Sequence, residues 1–113
     1  MHEMTLMESV RTIVGEAQKV HGFRSVRRIV LEIGRLSGVQ EEALRFCFDV
    51  VMAGGPAQAA RLEIEDLPGR AWCPTCQGEV EVDGLAQPCP TCGGMPGKVI
   101  QGFEMRVKGL EVD

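Results

Sequence analysis

Two identical CPTC units restrict the fold of this chain more than any other feature. Their cysteines fall in the spacing Cys73-x2-Cys76-x12-Cys89-x2-Cys92. Each unit can close as a tight turn that aims both sulfurs at one ion, and the interval between them is of hairpin length. Two such turns facing each other present four soft thiolates in a tetrahedron, the geometry of a closed structural zinc site. Gly78 and Gly93 follow the pairs and let the backbone curl, so that amide N–H groups reach the sulfurs. Between them Glu79-Val-Glu-Val-Asp83 alternates as a short strand, and Trp72 is expected to pack beneath the first turn. Residues 70–101 hold few large apolar side chains and cannot build a core unaided. Metal binding therefore supplies much of the folding free energy of this segment.

Two other readings of the cysteines are open. A redox-active CxxC normally sits at the start of a helix in a βαβ setting, and nothing helical follows either pair. A nucleic-acid-binding ribbon, of the kind used in transcription or RNA handling, needs a surplus of bases and exposed aromatics. Here Arg70 and Lys98 face Glu79, Glu81 and Asp83, the wrong balance for that role. The formal net charge of -4 also argues against nucleic acid or an anionic membrane as the main partner. No apolar run is long enough to span a membrane, and no secretory signal is visible at the start. Cysteines in this pattern fit a reducing compartment, so the chain reads as cytoplasmic.

The remainder patterns as α-β-α-β with a returning strand. Thr5-Leu-Met-Glu8 has the form of a capping box, and Leu6, Val10, Ile13, Val14, Ala17 and Val20 recur at helical spacing, with Gly22 as the stop. The spacing predicts a helix over 5–21, with residues 1–4 outside it. Ile29, Leu31 and Ile33 share one face of a strand from Val26 to Gly34. Ser37-Gly-Val-Gln40 offers a second capping box, opening a helix that carries Leu44, Cys47, Phe48 and Val51 on one face and stops in Ala53-Gly-Gly-Pro56. A strand over 61–66 turns Leu62 and Ile64 inward. After the cysteine segment, Gln101-Gly102 is a return hinge, and Phe103, Met105 and Val107 begin a last strand with a bulge near Lys108-Gly109. The expected fold is α+β: a three-stranded mixed sheet with two helices on one face, formed by residues 1–69 and 102–113. A zinc-ribbon (zinc-knuckle) module over 70–101 is inserted in it.

At the start of the chain stands Met1-His2-Glu3. A free amine followed by His2 can chelate a divalent ion through the amine and the imidazole, and the amide nitrogens of His2 and Glu3 complete a planar set once deprotonated. Four nitrogens in one plane suit Ni(II) or Cu(II). Glu3 can act through its amide, or its carboxylate can support the site. The bland reading is a frayed terminus.

MHE at the N-terminus, LEIGRLSGVQEEALRFCFDVV, AWCPTC, CPTC and the closing MRVKGLEVD together resemble the HypA/HybF family, in one collinear order over essentially the whole chain. The resemblance implies a nickel-incorporation protein of NiFe-hydrogenase maturation, a metallochaperone and not an enzyme. It implies a nickel-binding α/β domain with an inserted zinc domain. Nickel would sit at Met1, His2 and Glu3, and zinc at Cys73, Cys76, Cys89 and Cys92. The implied partners are an accessory nickel GTPase and the hydrogenase large-subunit precursor, with urease a recipient for some members. Met4-Thr5 stands where members often have Leu-Ser. Histidines beside the zinc cysteines, present in some members, are missing here: the chain has only His2 and His21. Oligomeric state is left open, a homodimer included.

Other residues read more plainly. His21 is a helix-end cation and Cys47 a small core residue, while Glu41-Glu42 meets a helix dipole. Arg24, Arg27, Arg28 and Arg35 form the one basic concentration, read as solvated strand edges with docking to an acidic partner as the alternative. The methionines are filler before they are soft ligands.

Overall fold

The computed structural model describes the backbone of residues 2–113 and the side chains of residues 3–113. The elements run α1 (His2–His21), β1 (Val26–Gly34), a 3-10 turn (Arg35–Ser37), α2 (Glu41–Met52), β2 (Arg61–Leu67), β3 (Gly69–Cys73), β4 (Gly78–Val82), β5 (Val99–Gln101) and β6 (Met105–Val112). One sheet has the order β2-β1-β6, and a second, within the cysteine segment, has the order β4-β3-β5. The chain divides into two compact units. One comprises Met1–Leu31, Val39–Glu65 and Arg106–Asp113, the other Glu32–Gly38 and Asp66–Met105.

In the first unit, α1 packs against α2. Met7, Val10 and Val14 of α1, Ile29 and Leu31 of β1, Leu44, Cys47, Phe48 and Met52 of α2, and Leu62 of β2 are buried. Each large aliphatic side chain so buried contributes about 1.5–3 kcal/mol. Cys47 lies in this core, as its place on the apolar stripe of α2 requires. The apolar stripe of α1 is wider than the face it buries, however: Ile13 and Val20 are exposed. Gly22 takes the left-handed conformation at φ 68° and donates its N–H to the Gln18 carbonyl at 2.8 Å, stopping α1 at its predicted end.

Both predicted helix starts are corrected. α1 begins at His2, so residues 2–4 are helical and Thr5 does not cap; its carbonyl instead accepts the Ser9 hydroxyl at 3.2 Å. Glu3, Met4, Leu6 and Met7 are good helix formers with no breaker among them, so a capping box was only one permitted start. Ser37 belongs to the 3-10 turn, which Gly38 ends at φ 78°. α2 starts further on, with Gln40 as an N-cap that makes no side-chain cap bond.

Three of the four basic residues, Arg27, Arg28 and Arg35, make ion pairs at the surface. Arg28 donates to Glu63 of β2 at 2.7 Å and to Glu111 of β6, tying both neighbours to the central strand, and Arg27 donates to Asp113 at 2.7 Å. The Arg28 guanidinium holds the Glu111 carboxyl below the usual carboxylate range.

The second unit buries Ile33, Ala71, Val82, Cys73 and Cys89. Three glycines let its strands approach closely. A Cβ on Gly34 would lie 2.0 Å from the Gly102 carbonyl oxygen, and one on Gly69 would lie 2.3 Å from that of Val82. Gly102, at φ 133°, faces Leu36. Arg35 reaches Asp66 at 3.1 Å, Glu81 at 3.1 Å and Asp83 at 3.3 Å, joining the 3-10 turn to the ends of β2 and β4. Phe103, expected in the last strand, precedes β6 and is half exposed, as Met105 is. The Gly102 turn, with Glu104 accepting the Gly34 N–H at 2.8 Å, occupies the backbone that would have extended the strand.

Candidate metal centre

β3 runs straight into the first CPTC. It pairs with β4 from Gly69↔Val82 to Cys73↔Gly78, which places Cys73 at the strand end and Cys76 in the turn. Alternation along β3 buries Ala71 and Cys73 and turns Trp72 outward, 44% exposed, so Trp72 does not pack beneath the turn as the sequence suggested. Its backbone instead ties β3 to the segment leading into β5, donating to the Lys98 carbonyl at 2.9 Å and accepting the Gly97 N–H at 2.6 Å.

All four sulfurs lie within 4.8 Å of one another. The Cys73–Cys92 separation is 3.5 Å and the Cys76–Cys89 separation 3.8 Å. A tetrahedron with metal–sulfur bonds of ~2.3 Å has edges of ~3.8 Å, so these thiols surround a space of the right size for one such ion. The close pairs cross from one CPTC to the other, and both units sit in turns with no helix after them. That is a ligand set and not the start-of-helix dithiol of an oxidoreductase.

Backbone N–H groups point at the sulfurs, as the glycines implied, with a different division of labour. Cys76 N–H donates to Cys73 Sγ at 3.5 Å and Gly94 N–H to Cys92 Sγ at 3.4 Å. Gly93 adopts the left-handed conformation at φ 75°, and its counterpart after the first pair is Gln77 at φ 53°, while Gly78 already begins β4. So many thiols cannot all ionise without a cation. The hydrogen bond shared with Cys73 helps push the Cys76 thiol up to about 12, and the backbone hydrogen bond from Cys92 draws Cys89 down to about 6. A bound dication supplies the missing charge and displaces the remaining protons.

At the other predicted site, Met1 and the His2 imidazole lie outside the described residues. Glu3 is described, and its carboxylate accepts the Gln40 backbone N–H at 3.0 Å. Because α1 starts at His2, the amides of His2 and Glu3 fall in the first turn, where no helical carbonyl is available to them. The contact between Glu3 and Gln40 had no sequence signal, since it joins residues far apart in the chain.

A four-thiolate metal site inserted in an α+β fold defines the class, and comparison with known proteins narrows it. A family model described as "Hydrogenase/urease nickel incorporation, metallochaperone, hypA" matches residues 1–112. Hydrogenase maturation factor HypA of Cereibacter sphaeroides is 52% identical over 112 residues, covering 99% of each chain. The protein of the same name from Paracoccus denitrificans is also 52% identical over 112 residues, with 99% of each chain covered. Among solved structures, one titled as HypA protein has a TM-score of 0.68 at 26% identity, covering 99% of this chain and 96% of its own. The Ni metallochaperone HypA from Helicobacter pylori has the same fold, with a TM-score of 0.68 at 23% identity over 97% of this chain and 96% of that one. This chain belongs to the HypA family of hydrogenase-maturation nickel metallochaperones, a family of metal carriers and not of enzymes. No helix among the described residues is long and apolar enough to cross a membrane.

Proposed function

We propose that this protein binds Ni(II) through Met1, His2 and Glu3 in the cytoplasm and delivers it to the large-subunit precursor of a NiFe hydrogenase, together with an accessory nickel GTPase. Zn(II) in the Cys73, Cys76, Cys89 and Cys92 site holds the second unit folded. Whole-chain membership of a nickel-incorporation family carries this reading. The four-sulfur cluster supports the zinc assignment, because a d10 ion accepts a tetrahedral field without redox chemistry.

The start of α1 suits the nickel chemistry. Removing the amide protons of His2 and Glu3 breaks no helical hydrogen bond, and the positive end of the helix dipole favours the anionic nitrogens that result. With a neutral amine and a neutral imidazole, two such nitrogens balance the charge of Ni(II). A chelate ring closed by successive backbone nitrogens is nearly flat and needs ψ close to zero, whereas a helix holds ψ near about −42°. Loading therefore unwinds the chain at His2, and the open faces of a planar ion admit the incoming ligand of a recipient.

Calorimetric titration of the zinc-loaded protein with Ni(II) tests the site. One nickel per chain should bind the native protein, and N-acetylation or His2→Ala should abolish that binding while zinc content stays constant. Retained stoichiometric binding after acetylation would sink the N-terminal assignment.

A further inference from the structure

The second unit leaves its one large aromatic strand residue in water. Alternation along β3 turns Ala71 and Cys73 into the unit and Arg70 and Trp72 away from it, so that Trp72 is nearly half exposed. The register fixes its neighbours. Trp72 lies opposite Glu79 and Arg70 opposite Glu81, all four on the outer face of β3 and β4. Arg70 Nε donates to Glu79 at 3.2 Å, a diagonal pair beside Trp72 on that face. Tryptophan is unfavourable to leave in water and is enriched among the residues that carry binding energy at interfaces.

We propose that the outer face of β3 and β4 docks a lysine- or arginine-bearing segment of a partner protein, with Trp72 as its anchor. Charge selects the occupant. The second unit holds six carboxylates, Glu32, Asp66, Glu79, Glu81, Asp83 and Glu104, against three cations, Arg35, Arg70 and Lys98. Four thiolates around a dication add two further negative charges when the zinc proposed above is bound. The arginines near this face are already engaged, Arg70 with Glu79 and Arg35 with Asp66, Glu81 and Asp83. Glu79 and Glu81 nonetheless stay about half exposed. Ion pairs so open to water are weak, and their carboxylates readily accept a second cation. An incoming guanidinium or ammonium is attracted to the indole face by the ring quadrupole, and the carboxylates of the facing strand pair with the same charge. Nucleic acid, an anionic membrane or an acidic peptide is repelled by the same field. The face shares no residue with the nickel ligands proposed above, so its test does not depend on nickel.

Trp72 is the only tryptophan of the chain, so its indole N–H reports this face directly in NMR spectra of the zinc-loaded protein. An end-blocked peptide of alternating glycine with arginine and lysine should shift the indole signal and the amides of Arg70, Glu79 and Glu81, more strongly at low salt than at high. The same peptide with aspartate and glutamate in place of the cations should not. Trp72→Leu keeps an apolar side chain but no ring, and it should weaken binding about fivefold at the Glu79 and Glu81 amides, the scale of a cation–π contact. Trp72→Phe should retain part of that affinity, and Glu79→Gln should lower it with the indole intact. Zinc content should stay at one per chain in each variant, so that lost binding is not lost metal. Unaltered affinity in Trp72→Leu, equal shifts from the acidic peptide, or shifts centred outside β3 and β4 would overturn the proposal. So would an indole shift that grows with protein concentration in the absence of peptide, because the face would then be a contact between copies of this chain.

Discussion

Removing the zinc proposed for the four-sulfur site should unfold one unit and leave the other standing. The second unit has only Ile33, Ala71 and Val82 as buried aliphatic side chains beside its cysteines, and the two larger ones contribute about 3–6 kcal/mol together. A structural zinc site contributes about 10–16 kcal/mol at neutral pH, several times more. The first unit draws on a far larger set, from Met7 and Val10 through Ile29 and Leu31 to Leu44 and Phe48, and contains none of the four clustered cysteines. Backbone amide NMR of the protein treated with a strong chelator under reducing conditions reads both units at once. Signals of Ala71, Val80 and Val82 should collapse into the unfolded range, while those of Ile29, Leu31 and Leu44 stay dispersed, and added Zn(II) should reverse the change. Native shifts for Ala71 and Val82 in metal-free protein would refute the reasoning, because the strands would then hold without the ion.

Gly102→Ala should destabilise the second unit by about 2–4 kcal/mol, since φ 133° suits glycine alone and the new Cβ would lie 2.7 Å from Leu36 Cδ1. Gly109→Ala, with nothing within 4 Å, is the matched control in urea unfolding. Glu111 should add an acid-sensitive component to stability. Its carboxyl is held low by the hydrogen bond from Arg28, so its contribution is present above the unfolded-state pKa and is lost as pH falls through the lower folded-state value. Glu111→Gln should flatten that part of the stability–pH curve. One residue added before Met1 should weaken nickel binding and leave zinc content alone, since it displaces the amine from the chelate; calorimetry and metal analysis check both.

Local chemistry was legible in the sequence, and long-range contact was not. The Cys-x2-Cys pairs declared their four-sulfur cluster because spacing alone brings such turns together, and the alternation over 26–34 declared β1 because its two faces meet different surroundings. Gly22 ended α1 where a left-handed residue was needed. Helix starts were another matter. Thr5 and Ser37 both fitted a capping box, but a cap is worth only about 1 kcal/mol, too little to decide against good helix formers upstream or a competing 3-10 turn. The β4-β3-β5 sheet was half hidden, because β5 has three residues and its pairing with β3 is irregular between Arg70 and Ala71. The approach of Gly34 to Gly102, the meeting of Gly69 and Gly102 at Leu36, and the reach of Glu3 to Gln40 join residues distant in the chain and leave no periodic trace.

Magnetism of the loaded protein gives the most direct check on how the cargo is held. Zinc-bound protein given one equivalent of Ni(II) should be diamagnetic, with sharp NMR lines persisting at Met4 and Leu6, as a four-nitrogen planar field demands. Paramagnetic broadening centred on some other part of the chain would contradict the account.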